Sequence, residues 1–108
     1  MFAKTPPPPY WAVIFTSTQI ANDGYEETSD RMLELGSGSP GFLGIESTRG
    51  ADGLGITVSY WKDLESIRNW KANEEHRRAQ ARGREQWYGQ YITRVAKVDY
   101  DYGFAKEL

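Results

Sequence analysis

The order in which strand-like and helical patterns alternate constrains the fold of this chain more than any other feature of its sequence. The patterns predict strand, helix, strand, strand, helix, strand. Right-handed crossovers leave few arrangements for this order other than a four-stranded antiparallel sheet with both helices on one face. We therefore expect an α+β fold with the ferredoxin-like βαββαβ plan.

The strands are predicted from runs of β-branched and aromatic residues. The first run begins at Tyr10 and is apolar on both alternating faces, as expected of a central strand that is covered on each side. Gly50-Ala51-Asp52-Gly53 separates the second and third runs and suits a tight hairpin. In the third run, Trp61 ends a face whose other side chains are small and polar. The predicted strands cover residues 10–18, 42–49, 54–61 and 91–102.

The helices are predicted from capping residues and apolar spacing. Asn22 or Asp23 can cap the first helix, and Gly36 is expected to stop it. Asp63 is placed to cap the second helix. Asn73 is followed by two glutamates, which is typical of a helix start because the helix dipole favours negative charge there. We therefore expect a break near Asn73.

The chain is interpreted as a proline-rich arm, residues 1–9, followed by one domain, residues 10–108. Pro6–Pro9 fix four φ angles and lack backbone donors, which predicts an extended polyproline segment outside the sheet. A chain of 108 residues is long enough to bury a single core without crosslinks.

Composition excludes several classes of protein. The 13 basic and 15 acidic residues give a net charge of −2, which argues against a nucleic-acid partner. With no cysteine and one histidine, the chain lacks the ligands of a familiar zinc or non-heme iron site. The longest apolar run, Trp11 to Phe15, is too short to span a membrane, and the first nine residues do not resemble a secretory signal. We expect no membrane association and a cytoplasmic location.

The predicted sheet has helices on one face only, so its other face needs cover. The chain carries 4 Trp, 7 Tyr and 4 Phe, enough to make that face apolar. A second copy is the simplest cover, which predicts a homodimer.

Several short strings, taken in order, carry a family resemblance. They are Pro40-Gly41-Phe42-Leu43-Gly44, then Ile56-Thr57-Val58-Ser59-Tyr60-Trp61, then Leu64-Glu65-Ser66-Ile67 followed by Trp70 and His76. Their succession resembles the antibiotic biosynthesis monooxygenase family over about Tyr10 to Phe104. The resemblance implies a dimeric α+β barrel in which each subunit has a ligand pocket between its sheet and its helices.

The resemblance also implies a function. Family members include cofactor-free oxygenases that convert phenolic polycyclic compounds to quinones, and heme-degrading monooxygenases. The expected function is oxidation of a planar aromatic or quinone-type small molecule by dioxygen, with no tightly bound cofactor. A heme-degrading monooxygenase and a non-catalytic ligand-binding or stress-related barrel are the alternatives.

The resemblance assigns catalytic roles to His76 and Trp70. His76 is the only histidine, and its imidazole can deprotonate a phenol or ligate heme iron; a structural histidine bonded to Glu75 or to a neighbour is the alternative. On one straight helix the two side chains would point roughly 120° apart, so only the break at Asn73 can direct both into one cavity. The first strand ends in Thr16–Thr18 and lacks the Asn of the heme branch, which weakens heme degradation.

Four further residues are candidates for substrate binding. Trp61 could form an aromatic wall with Trp70, although both also suit a core. Tyr60 and Tyr88 could orient a phenolic or quinone oxygen, or cover a dimer interface. Arg78 could hold an acidic group of the substrate, or pair with neighbouring glutamates in solvent.

Overall fold

A computed structural model describes residues 2–106; Met1 of the predicted arm and residues 107–108 of the predicted domain lie outside this range. Within the described range, no helix is long and apolar enough to cross a membrane. The elements are β1 (Tyr10–Gln19), α1 (Tyr25–Ser37), β2 (Phe42–Arg49), β3 (Leu54–Trp61), α2 (Leu64–Ala72), α3 (Glu74–Arg82), a π-helical turn (Gly83–Trp87) and β4 (Tyr88–Val98).

The four strands form one antiparallel sheet in the order β2-β3-β1-β4, which confirms the ferredoxin-like α+β fold. Trp61 of β3 pairs with Trp11 of β1 and with Phe42 of β2, so these three side chains share one face. Because Trp61 also stacks on Trp70 of α2, that face is the one covered by helices. It is called the helix face below, and the opposite one the open face.

The break predicted near Asn73 is confirmed. Helix α2 ends just before this residue and α3 begins just after it. Asn73 has φ −58° and ψ 126°, an extended conformation that interrupts the helix, and its side chain accepts a hydrogen bond from the backbone N–H of His76 at 3.0 Å. At the start of α2, Asp63 caps as predicted by accepting from the backbone N–H of Ser66.

The ends of α1 differ from the prediction. Gly24 is the N-cap residue, in place of Asn22 or Asp23, and its φ of +75° is a left-handed conformation that glycine adopts without strain. The helix continues one residue beyond Gly36. Gly36 is buried inside the helix beside the Trp70 ring, where a Cβ would make an ordinary van der Waals contact at 3.6 Å, and it does not stop the helix.

The last strand also differs, since β4 begins at Tyr88 and ends at Val98, against a prediction of residues 91–102. Val98 pairs with Tyr10, the first residue of β1. Before Tyr10 the chain is Pro6–Pro9, which has no N–H groups to donate to a continued ladder. The alternating pattern beyond Val98 therefore belongs to a segment without a strand partner in its own sheet.

The N-terminal arm packs against one end of the open face. The backbone N–H of Ala3 donates to Oε2 of Glu46 at 3.0 Å, and the Tyr60 hydroxyl donates to Oε1 at 2.7 Å. The ring of Tyr10 packs edge-on against Tyr60, with 5.7 Å between centroids. At the other end of the open face three apolar side chains remain 43–49% exposed: Leu54, Ile56 and Ile92.

Candidate functional site

Three aromatic rings form a stack over the helix face. Trp61 is 1% exposed, and its Nε1 donates to Oγ of Ser59 at 2.9 Å. The Trp70 ring lies 6.2 Å from the Trp61 ring, centroid to centroid, at an interplanar angle of 26°. The His76 ring lies on Trp70 at 4.2 Å and 16°. Trp61, Trp70 and His76 are called the tryptophan stack below.

The hydrogen bonding of His76 defines its chemistry. Its Nδ1 lies 3.1 Å from the carbonyl oxygen of Trp70. Because a carbonyl can only accept, Nδ1 carries the proton and Nε2 of the neutral ring keeps its lone pair. Burial lowers the pKa of His76 below its ordinary value, so the imidazole is neutral at pH 7. A neutral imidazole with a free Nε2 can accept a proton or ligate a metal.

The local sequence explains how His76 reaches Trp70. The cap at Asn73 ends one helix and starts the next, which turns the chain so that the two rings meet face to face. Of the structural partners expected for His76, Glu75 instead pairs with Nε of Arg31 at 2.8 Å, whereas a neighbour, the Trp70 carbonyl, is bonded to Nδ1. The single break near Asn73 therefore brings together the two residues that a straight helix would have pointed in different directions.

A second aromatic group, the tyrosine cluster, consists of Phe15, Tyr25, Tyr88 and Tyr91. Phe15 lies 5.5 Å from Tyr88 and 5.1 Å from Tyr91, between centroids, and the Tyr88 hydroxyl lies 3.4 Å from that of Tyr25. Tyr88 and Tyr91 share the helix face because a bulge at Gly89 shifts the alternation of β4. Burial raises the pKa of Tyr88 well above its ordinary value, so its hydroxyl stays protonated.

Arg49 lies beside the tyrosine cluster and was not among the predicted site residues. Its guanidinium crosses β3 above Gly55 and donates to Oγ of Ser17 at 2.8 Å. A Cβ at Gly55 would lie 2.6 Å from Cζ of Arg49, so only glycine leaves room for this crossing. The same carbon lies 5.9 Å from the Tyr25 ring centroid and 6.0 Å from that of Tyr88. An isolated glycine inside a predicted strand was the signal that could have indicated this close approach.

The tryptophan stack and the tyrosine cluster lie towards opposite ends of the helix face, and the strip of that face between them is called the cleft below. This strip includes short side chains: Val13, Thr57, Thr93 and Val95. Helix α1 packs on β2 and α2 packs on β3, so the strip is least covered along β4, where Val95 is 48% exposed. Two surface depressions lie elsewhere, one of about 340 Å³ at the end of the sheet beside Leu54 and Ile92, and one of about 330 Å³ between α1 and α3.

The predicted site residues are distributed over several places. Trp70 and His76 lie together, with Trp61 buried beneath Trp70 as a core residue, and Tyr88 lies in the tyrosine cluster. Tyr60 lies on the open face, away from the cleft, where burial and its bond to Glu46 raise its pKa to about 12. Arg78 lies in the depression between α1 and α3.

The position of Trp70 bears on the heme alternative. The resemblance implies that a helix histidine holds the iron while a tryptophan presses on the porphyrin. Here Trp70 lies on the face of the His76 imidazole at 4.2 Å, so a porphyrin held at Nε2 would not lie between the two rings. At the end of β1, where the heme branch carries an Asn, Ser17 is 2% exposed and its hydroxyl is bonded to Arg49.

Residues 17–82 match the antibiotic biosynthesis monooxygenase family. This is more than half of the chain, and the chain belongs to that family. It is also similar to the protein YqjZ of Bacillus subtilis, with 55% identity over 98 residues, which cover 90% of this chain and 86% of YqjZ.

Two solved structures with the same fold have lower sequence identity. SnoaB of Streptomyces nogalater, described as a cofactor-independent oxygenase, aligns with a TM-score of 0.70 at 14% identity and covers 92% of this chain and 100% of its own. Rv0793 of Mycobacterium tuberculosis aligns with a TM-score of 0.74 at 13% identity, and the alignment covers 88% of this chain and 99% of Rv0793. At these identities the two structures support the fold.

Proposed function

We propose that this protein oxidises a planar phenolic or quinone-type molecule with dioxygen, and that His76 is the base that starts the reaction. The observation that carries this proposal is the geometry of His76, whose Nδ1 is bonded to the Trp70 carbonyl and whose burial keeps the ring neutral. A base must be unprotonated at the working pH, and burial keeps the His76 imidazole unprotonated by lowering its pKa. Family membership and the description of SnoaB support the reaction class.

The proposed reaction needs no electrons from outside the substrate. On an anthrone-type substrate, Nε2 of His76 removes a proton and leaves an electron-rich anion. That anion reduces dioxygen, one oxygen atom forms the new carbonyl, and the other leaves as water with the two hydrogens of the original methylene. The proton held by His76 returns with that water. The protein supplies the base, the aromatic walls and the exclusion of bulk water, and no tightly bound cofactor is part of the proposal.

The proposed substrate-binding site is the cleft between the tryptophan stack and the tyrosine cluster. Trp61 and His76 cover the two faces of the Trp70 ring, so Trp70 offers its ring edge beside His76, and Tyr88 and Tyr91 offer the opposite aromatic wall. A planar ring favours such walls because offset stacking and edge contacts with aromatic side chains are both favourable. Short side chains in the cleft, such as those of Thr57 and Val95, leave the space in which a flat molecule can lie.

We also propose that the protein is a homodimer joined through its open faces. One end of that face carries the exposed side chains of Leu54, Ile56 and Ile92, and contiguous apolar patches on soluble monomers usually mark an interface. Each copy then keeps its own cleft on the helix side of its sheet. Analytical ultracentrifugation should find a species of twice the chain mass of 12.3 kDa, and a species of single chain mass would refute the dimer.

Oxygen uptake with a panel of hydroquinones and anthrones tests the catalytic proposal. His76→Asn is the sharpest variant because the Asn amide can still donate to the Trp70 carbonyl while the base is lost. We expect kcat to fall about 100-fold or more. Arg77→Ala, at the exposed neighbouring position, should keep the wild-type rate. Equal rates for wild type and His76→Asn would exclude the base.

A second variant tests where the substrate binds. Val95→Trp fills the cleft at a position that is 48% exposed and should raise KM or abolish uptake, whereas Leu33→Trp, at a position that is 47% exposed on α1, should not. Saturable quenching of tryptophan fluorescence without oxygen uptake would favour the non-catalytic ligand-binding barrel. A shifted Soret band on hemin titration that is lost in His76→Asn would favour the heme alternative.

A further inference from the structure

The segment that follows β4, residues 99–106, lies outside the helices and strands and is called the C-terminal arm below. Aromatic residues alternate along it, at Tyr100, Tyr102 and Phe104. These three side chains are 76%, 90% and 87% exposed. The rings of Tyr100 and Tyr102 lie parallel, 6.3 Å apart. The arm therefore presents a continuous aromatic edge to solvent.

The other side of the arm is fixed to its own sheet. Asp101, which alternates with the aromatic residues, accepts a hydrogen bond from the Tyr10 hydroxyl on the open face at 2.5 Å. That bond is also the largest cause of the raised pKa of Tyr10. Because Asp101 holds the arm by its inner side, the aromatic edge points away from the chain that carries it.

The open face has a matching uncovered surface. Its near end is already occupied by the N-terminal arm and by Tyr10, whereas its far end exposes Leu54 at 49%, Ile56 at 43% and Ile92 at 47%. Arg94 lies on the same face two residues from Ile92 and is exposed, so its guanidinium is available to the aromatic rings of an incoming arm. The aromatic edge and this apolar end are complementary in character, and both belong to the same chain.

We infer that the C-terminal arm crosses to a second copy of this chain and lays its aromatic edge on the exposed end of that copy's open face. The five residues that follow Asp101, residues 102–106, can span about 17 Å when extended, which is enough to reach across the face of an adjoining sheet. A two-fold axis makes the exchange reciprocal, so each copy gives one arm and receives one. The inference rests on the proposed homodimer and specifies how its interface is completed.

The absence of cysteine from the sequence allows a direct crosslinking test. One chain carries only Tyr102→Cys and a second, differently tagged chain carries only Ile92→Cys; the two are refolded together and oxidised. We expect a covalent heterodimer as the main product. Leu33→Cys replaces Ile92→Cys in the control, because Leu33 is equally exposed at 47% but lies on the helix side of the sheet. The control pair should crosslink at least tenfold less.

Sedimentation of the Tyr102→Ser, Phe104→Ser double variant separates the arm from the dimer itself. Both side chains are almost fully exposed, so the fold should be kept while the dimer dissociation constant rises about tenfold or more. Equal crosslinking of the two cysteine pairs, together with a wild-type dimer in sedimentation, would overturn the arm exchange and leave the dimer standing. A wild-type monomer would overturn both.

Discussion

Asn73→Ala should destabilise the protein and release His76 from Trp70. The Asn73 side chain accepts a 3.0 Å hydrogen bond from the His76 backbone N–H, and loss of such a helix cap costs about 1 kcal/mol, within a range of roughly 0.5–2. Every residue of α3 is at least partly exposed, so packing compensates little for the lost cap. The expected decrease in Tm is about 4–8 °C.

Urea unfolding followed by tryptophan fluorescence measures this change, at one protein concentration because the proposed dimer couples stability to concentration. Asn73→Ser is the matched control, since serine also caps and its side chain can accept the same bond. We expect a loss of a few tenths of a kcal/mol or less for serine and about 1 kcal/mol for alanine. Equal unfolding free energies for the wild type and Asn73→Ala would refute the assignment of Asn73 as the residue that sets the position of His76.

Three further changes test other parts of the structure. Gly55→Ala places a Cβ 2.6 Å from Cζ of Arg49, so the guanidinium must move away from Ser17, and the lost hydrogen bonding should cost about 0.5–1.5 kcal/mol in urea unfolding; an unchanged midpoint would contradict the crossing. Because burial holds the pKa of folded His76 below 6.5, the unfolded chain binds more protons just below that pH, and the unfolding free energy should fall as pH drops from 7 through 6.5. His76→Asn should remove that slope. Tyr60→Phe should raise the pKa of Glu46 towards its ordinary 4.5, as followed by carboxyl NMR, because the Tyr60 hydroxyl is the largest cause of its lowering.

Much of the fold follows from local sequence signals. The succession of strands and helices, the hairpin before β3 and the break at Asn73 each depend on residues close together in the chain, and all three are present in the structure. The end of β4 was mispredicted because it depends on a distant segment. Alternation continues past Val98, but the neighbouring strand is preceded by prolines that cannot extend the ladder.

The site was harder to predict than the fold. His76 and Trp70 could be identified from type, order and the helix break, whereas Arg49 reaches the site only because Gly55 of another strand leaves space beneath it. Tyr60 looked equivalent to Tyr88 in sequence, but the register of β3 places it on the open face. Whether a tyrosine lines the cleft depends on pairing and on a bulge, which local patterns do not specify.

The protonation of His76 tests the central claim most directly, and the single histidine makes its NMR signals unambiguous. A pH titration of the imidazole ¹⁵N shifts in the folded protein should give a pKa below 6.5 and a neutral ring protonated at Nδ1. A pKa at or above 6.5, or a neutral ring protonated at Nε2, would contradict the account, because His76 would then lack the free lone pair that a base at this site requires.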